Sequence, residues 1–298
     1  MMKAALVVAT CDRPRELRRL IDSLSGQTLP PYQVVVVDSG SAPIEDAVRN
    51  APFAKFRYLT SPVRSASRQR NQGIAEVDAS VDLMGFADDD VVFARDAFKA
   101  MEHFWGRSTA DIAGAAFNML NHPSLSFRAL KGSVFSEALG LYSLRPGAVL
   151  PSGFHTLIGK VASDRIVEWL PTGAVLWRKG IFNAYRFDEW FGGYSYLEDL
   201  DLSYRIGRSF RLAVVADAGY YHYPAREGRG SRVIFGKREV LNRIHFVKKH
   251  SGLSLGKCYL ALAVRAQMNL WEGMGHVSAD GFRRAWGNFL GLWETLWD

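Results

Sequence analysis

Three adjacent aspartates, Asp88-Asp89-Asp90, follow the apolar run Leu83–Ala87 and precede Val91-Val92-Phe93. Carboxylates this close repel one another, so holding them together in a fold is costly unless a cation offsets the charge. Their hard oxygens suit Mg2+ or Mn2+, and such an ion can bridge the oxygens of a diphosphate. A short acidic run alone also fits a solvated turn; here it ends a segment with the character of a buried strand. A second acidic pair, Glu198-Asp199, opens a stretch that continues Leu200-Asp201-Leu202. A carboxylate beside an apolar pocket has its pKa raised into a range useful for proton transfer. Asp201 and Arg205 lie four apart, a spacing at which they pair across one helical face.

These groups need a scaffold to bring them together. Ala4–Ala9 is an apolar run of strand length. Pro14 then suits a first helical turn, with Leu17, Leu20, Ile21 and Leu24 at helical spacing. Val34–Val37 is four consecutive valines running into Asp38-Ser39-Gly40-Ser41, which predicts a strand covered on both faces. Lys55–Leu59 is a weaker strand, Ser65–Val77 a helix weakened by Gly73, and Leu83–Ala87 a further strand. This β-α-β-α-β order predicts an α/β, doubly wound sheet. Ligands of such sheets bind beyond the carboxyl ends of the strands, where Thr10-Cys11-Asp12, Asp38 and Asp88–Asp90 all fall. Asn118–Asp164, rich in Gly, Ser, Pro and His, reads as a long loop region with short elements, and such loops are often functional. Order returns at Val167–Arg178, in a helix from near Glu198 and in a strand at Leu212–Ala216. From Val233 the pattern is helical to the end.

The chain resembles the family 2 inverting glycosyltransferases with the GT-A fold, over about residues 3–225. The resemblance rests on pieces in order. These are Val7–Pro14, Gln27 followed by Val34–Ser41, the R-N-x-G element Arg70-Asn71-Gln72-Gly73, and the DxD element Asp88–Asp90. Phe187-Asp188-Glu189-Trp190-Phe191 and Glu198-Asp199-Leu200-Asp201-Leu202 complete them. It implies a GT-A, Rossmann-like, mostly parallel sheet across residues 1–232. The donor half would be about 1–117 and the acceptor half about 118–232, with a helical extension over 233–298. A nucleotide sugar would contact Thr10, Asp12, Arg13, Asp38, Arg70, Asp88 and Asp89. The metal, Mn2+ or Mg2+, would sit on Asp90 and Asp88. Several relatives add a histidine at the position of His222, although a histidine among Tyr220, Tyr221 and Tyr223 equally fits a hydrogen-bonded structural role. Inverting transfer needs a base for the acceptor hydroxyl, which the family pattern places at Asp199, with Glu198 positioning base or acceptor. Trp169, Thr172, Gly173 and Trp190 would border the acceptor, and Tyr194 or Tyr196 could stack on a sugar. The acceptor would be a glycan or a lipid-linked hydroxyl. Asp38 favours UDP or dTDP, while guanine donors occur in similar enzymes.

The 298 residues are 48% apolar and 22% charged, enough for a large core and too apolar for disorder. Cys11 and Cys258 lie far apart, so neither a disulfide framework nor a cysteine zinc site is implied. Met1–Ala9 stops at Thr10-Cys11-Asp12-Arg13 and does not read as a signal peptide. No apolar run reaches the roughly 20 residues that span a bilayer; the nearest, Leu253–Trp271, carries Lys257 and Arg265. The expectation is a cytoplasmic protein. The formal charge is +7, and Ala225–Asp298 holds twelve Lys/Arg against six Asp/Glu. Val240, Ile244 and Val247 lie near Arg243, Lys248 and Lys249, and Leu290, Trp293, Leu296 and Trp297 follow Arg283 and Arg284. Basic, aromatic helices of this kind can touch an anionic inner membrane face; a packed helical cap is the other reading. Three alternatives compete. A nucleotidyl- or phosphotransferase shares the metal–diphosphate logic, but no GxxxxGK[ST] loop is present. A binding module without turnover would not need both acidic clusters. A nucleic-acid partner is not expected, because no recognition motif accompanies the basic charge.

Overall fold

In the computed structural model, residues 2–45, 48, 51–122, 136–137, 140, 143–193, 195–224, 231–275 and 279–295 are described. The valine run forms β2 (Gln33–Asp38), with every residue buried. It lies between β1 (Ala4–Thr10) and β3 (Lys55–Thr60), and β4 (Leu83–Asp88) flanks β1 on the other side, all parallel. Both faces of this half-sheet are covered. On one face, α1 (Pro14–Ser25) lays Leu17, Leu20, Ile21 and Leu24 against Leu6, Val8, Val34 and Val36. On the other, Ile74 of α2 (Ala66–Ala75) joins Val7, Val35 and Val37. Alternation along each strand therefore sends successive valines to different cores, which is why the run reads as continuous.

The chain runs outward from β1 to β3 and then crosses back to place β4 beside β1. The strand order reverses there, the point beyond whose strand carboxyl ends sheets of this kind bind ligands. Register aligns the functional residues there: Thr10 pairs with Asp38, and Ala9 with Asp88.

Beyond β4 the nine-stranded sheet becomes mixed. β8 (Ala174–Arg178) runs antiparallel to β4 and to β6 (Ile112–Met119), and β9 (Arg211–His222) is parallel to β6. The short strands β5 (Val91–Phe93) and β7 (Arg165–Val167) both pair antiparallel with β9. The class is α/β, as expected. Helix α3 (Ala97–Arg107), with Phe98, Met101, Phe104 and Trp105 buried, and strand β6 had no counterpart in the sequence reading. The expected loop region starts late, because Asn118 belongs to β6. Its buried amide bonds Val161 and the Ala216 carbonyl, tying the returning chain to the sheet. Residues 123–135, 138–139 and 141–142 of that region lie outside the described residues; from 143 to 164 the chain is irregular, with one bridge, Val149 to His155. Helix α4 (Glu198–Gly207) begins at the residue expected.

Two compact units emerge: Met1–Leu125 with Ile158–Gly228, and Ser126–Leu157 with Arg229–Asp298. The second contains α5 (Arg232–Lys249), α6 (Leu255–Gly275) and α7 (Ala279–Thr295), which pack on one another. No helix among the described residues is long and apolar enough to cross a membrane.

Gly73 explains the R-N-x-G spacing. A Cβ there would lie 2.2 Å from a Val7 methyl and 3.3 Å from one of Val37, so the glycine lets α2 approach the sheet. Two effects oppose in Gly73→Ala. Helix propensity favours alanine by about 1 kcal/mol, whereas overpacking costs about 1–3 kcal/mol, and stiff valines leave little room to relax. Urea unfolding should show net destabilisation, with the melting temperature lowered by roughly 2–8 °C; a stabilised variant would show that the helix moves freely on the sheet.

Candidate active site

At the ends of β1 and β2, a tight set of bonds holds the strand ends together. Gln69 of α2 donates its side-chain amide to the carbonyls of Thr10 (2.8 Å) and Val37 (2.7 Å), holding the two strand ends together. Asp38 is buried; Oδ1 accepts from the Gly40 N–H at 2.8 Å and Oδ2 from the Tyr58 hydroxyl. Asp12 adopts a left-handed backbone (φ 56°) and accepts from the Ser41 N–H (2.6 Å), the Ser41 hydroxyl (2.8 Å) and Arg64 (2.9 Å). These bonds, the Ser41 N–H foremost, hold its carboxyl below the usual range. A Cβ on Gly40 would crowd Asp12 Oδ1 (2.8 Å), the Asp12 N–H (3.0 Å) and Asp38 Oδ1 (3.0 Å), so a side chain there would push on both carboxylates.

The three aspartates divide into two roles. Asp89 is buried and accepts from the Thr10 hydroxyl (2.7 Å) and Arg13 (3.0 Å). Burial pushes its carboxyl up to about 6, against the pull of Arg13 and Thr10. Thr10, Arg13 and Asp89, expected at the donor, thus form an internal tie from β1 to the acidic turn. Asp88 and Asp90 gather instead with His222, and their ligand atoms all lie within 4.8 Å of one another. His222 Nε2 is 3.1 Å from Asp90 Oδ1. Strand pairing brings the histidine here: β5 lies antiparallel to β9 with Val91 opposite His222, and Asn121 exchanges two hydrogen bonds with the His222 backbone. Two carboxylates and an imidazole at this separation are a donor set that fits a divalent cation.

Opposite them stands the start of α4. The approach is strained: Gly193, Ser195 and Leu197 have φ of 64°, 33° and 78°. Non-glycine residues hold such angles only when their surroundings enforce them; here the Ser195 hydroxyl donates to the Phe191 carbonyl and accepts from the Ser67 N–H of α2. Glu198 and Asp199 consequently occupy the first turn, where the helix dipole favours carboxylates. Arg70 links this turn to the metal-fitting cluster. Its guanidinium is buried and donates to Glu198 (2.7 Å) and Asp88 (3.1 Å), with the Phe187 ring 5.5 Å from its centre. Burial, then the neighbouring Asp199, pushes the Glu198 carboxyl up to about 8 against the pull of Arg70. Burial also raises Asp199, while a 2.7 Å bond from the Leu200 N–H opposes the rise. Asp201 is fully buried and pairs with Arg205 at 3.0 Å, so the second half of the acidic motif is structural.

Of the residues expected at the acceptor, Gly173 is brought to the cluster. Its carbonyl accepts from the Asp88 N–H, and a Cβ would lie 3.4 Å from Asp88 Oδ2 and 3.8 Å from the Tyr220 hydroxyl. Thr172 and Trp169 are buried nearby in sequence, whereas Trp190 is half exposed and packs edge-on against Phe191. Tyr196 is half-buried and Tyr194 lies outside the described residues. Tyr58, Gln69 and Tyr220 escaped the sequence reading because no motif names them; only the fold brings them to the acidic residues.

Residues 5–162 match the family described as glycosyl transferase family 2. The N-acetylglucosaminyl-diphospho-decaprenol L-rhamnosyltransferase of Mycobacterium tuberculosis is 25% identical over 279 residues, covering 83% of this chain and 85% of the relative. Among solved structures, the mannosyltransferase PcManGT from Pyrobaculum calidifontis, in complex with GDP-Man and Mn2+, superposes with a TM-score of 0.59 at 13% identity, covering 98% of this chain and 87% of that one. S. aureus TarS 1-349 in complex with UDP-GlcNAc gives 0.54 at 17% identity, covering 88% and 71%; the chain spans 43% of the longer TarS chain. At these identities the structures show a shared fold.

The raised Glu198 carboxyl carries a pH signature. Its folded value of about 8 exceeds the unfolded value near 4.5, so the folded state binds the proton more tightly. That contribution is full below about pH 4.5 and is lost as pH rises through about 8. Metal-free protein should therefore lose stability to urea across this window, and Glu198→Gln should flatten the slope. Equal slopes in the two proteins would show that Glu198 is ionised throughout.

Proposed function

The chain belongs to glycosyl transferase family 2, and on that premise we propose that it inverts the anomeric centre of a nucleotide diphosphate sugar in transferring it to an acceptor hydroxyl. The observation that carries this reading is the meeting of Asp88, Asp90 and His222 on one side of Arg70 with Glu198 and Asp199 on the other. Asp88, Asp90 and His222 would hold a divalent cation, which when bound neutralises a diphosphate leaving group. Mn2+ is favoured over Mg2+, because the imidazole departs from the all-oxygen set that Mg2+ prefers.

Asp199 is the base. It is half-buried and forms no ion pair among the described residues, whereas Glu198 is committed to Arg70 at 2.7 Å. Two adjacent carboxyls with different environments divide such work between them. Asp199 takes the acceptor hydroxyl proton as that oxygen bonds the anomeric carbon. The bond to the diphosphate oxygen breaks on the opposite face, and its electron pair leaves with the diphosphate. Asp38 faces the nucleoside end: a carboxylate offers about four lone-pair sites, so its bonds to Gly40 and Tyr58 leave capacity for a base or ribose. This arrangement favours UDP or dTDP. Residues up to about 117 would supply the donor side and residues from about 118 to 232 the acceptor side, with Trp169, Thr172, Gly173 and Trp190 near the acceptor. The similarity to an N-acetylglucosaminyl-diphospho-decaprenol L-rhamnosyltransferase supports a rhamnosyl or other hexosyl donor and a lipid-linked acceptor.

A thermal-shift panel of UDP, dTDP and GDP, each with and without Mn2+, identifies the donor base; a uracil or thymine nucleotide should stabilise most, and only with metal. Asp90→Ala should abolish transfer and the metal-dependent shift while leaving the metal-free melting temperature nearly unchanged. Full activity in excess EDTA would rule out the metal. Asp199→Asn keeps the shape and loses proton acceptance, so turnover should fall by about 10²–10⁴ with donor binding intact. Turnover within a few-fold of the parent would move the base assignment to Glu198.

A further inference from the structure

Helix α7 of the second unit is built with polarity reversed. The face of α7 turned toward its neighbours consists of Ala285, Gly287, Asn288 and Gly291. A Cβ on Gly287 would lie 2.1 Å from the Val233 carbonyl oxygen of α5, and one on Gly236 of α5 would lie 2.2 Å from that of Arg284. Polar bonds fill the same seam. Asn288 donates to the Gly236 carbonyl (2.9 Å) and accepts from Asn269 of α6 (2.6 Å). Arg284 and Arg265 approach the buried Glu239 at 2.8 and 3.4 Å. The outward face carries Phe282, Trp286, Phe289, Leu290 and Trp293, whose spacing of four, three, one and three residues keeps them on one arc of the helix. Trp286 and Trp293 are 59% and 65% exposed, and Trp271 of α6 is 66% exposed. Helices of water-soluble domains normally do the opposite, burying the aromatics and exposing the asparagine and arginine. An exposed arc of large apolar side chains of this kind marks an interaction surface.

We infer that the outward arc of α7, with Trp271, is a docking face for an anionic lipid bilayer, with the helix lying in the headgroup region. Close glycine contacts and buried polar bonds inside, with apolar side chains outside, is how helices pack when their surroundings are lipid. No helix among the described residues can span, so the unit lies on the surface. Indole rings, apolar with one N–H donor, favour that boundary. Charge decides between lipid and a second copy of the chain. Arg229–Asp298 holds eleven Lys/Arg and five Asp/Glu, nearly all of the net +7. A second copy would bring the same positive charge to the contact, whereas anionic headgroups complement it. Arg284 and Arg265 are tied to Glu239, and Arg283 lies 4.0 Å from Asp280, so the attraction is that of the unit's net positive charge as a whole, to which the exposed Lys248 and Lys249 contribute. The α5 stripe Val240, Ile244 and Val247 is buried and takes no part, and Leu296 and Trp297 lie outside the described residues. The inference deepens the proposed lipid-linked acceptor by giving the enzyme a means of reaching it, but it stands on these helices alone.

The test is flotation of the full-length protein with phosphatidylcholine vesicles, with and without phosphatidylglycerol, alongside Trp286→Ser/Trp293→Ser. The protein should float with the anionic vesicles at low salt and less at high salt, because exposed charges are screened over about 8 Å at physiological ionic strength. The double variant should bind roughly tenfold or more weakly while keeping its melting temperature and its nucleotide-induced thermal shift. Asp90→Ala should float like the parent, so failed docking and failed catalysis are read separately. Absence of flotation at low salt overturns the inference, as does equal flotation of the double variant. Sedimentation showing a dimer that the tryptophan substitutions dissociate, without flotation, would assign the face to a second copy.

Discussion

One buried guanidinium faces three carboxylates at the centre of this protein. Arg70 donates to Asp88 and Glu198, and Asp199 stands beside them. Removing such charges from water is costly for each, and the cost is recovered only with good geometry and the right total charge. A single positive charge cannot balance three negative ones. A proton held by Glu198, whose carboxyl is pushed up by burial, and a cation at the proposed site of Asp88, Asp90 and His222 would each relieve part of the excess. On the proposed reading, this excess of negative charge is what a divalent cation would offset.

The fold serves this constraint through distances that only close packing can hold. Gly73 draws α2 down onto Val7 and Val37, and Arg70 lies one turn earlier on the same helix. Gln69 fastens α2 to the ends of β1 and β2. Ser67 and Ser195 fasten its beginning to the strained approach of α4. Helix α2 thus couples the strand ends, the acidic turn and the start of α4. The antiparallel return of β9 then supplies the histidine, a long-range contribution fixed by strand register.

Much of the first half was legible, because valine runs, helical stripes and strand-end aspartates are local signals. Asp88 and Asp90 were readable as a motif and His222 only through the family resemblance, because its approach to them depends on β9 pairing with β5. Asp89 could not be separated from its neighbours by sequence, since its role follows from which side the Thr10 hydroxyl and Arg13 occupy. Helix α3 carried a periodic signal in Phe98, Met101, Phe104 and Trp105 that the reading passed over, whereas strand β6 is masked by small residues. The C-terminal helices show a deeper limit: periodicity reveals that a helix has an apolar face without saying whether that face turns inward, as in α5, or outward, as in α7.

On the proposed reading, Asp88, Asp90 and His222 act as one cation site beside Arg70. Pulsed electron paramagnetic resonance of protein-bound Mn2+ in the presence of a nucleoside diphosphate tests it most directly, by detecting nuclei bonded to the ion. A nitrogen coupling of an imidazole ligand should be present in the parent protein and absent in His222→Ala, with phosphorus coupling present in the parent. Bound Mn2+ with phosphorus coupling alone, identical in parent and variant, would place the ion on the nucleotide and remove His222 from the site.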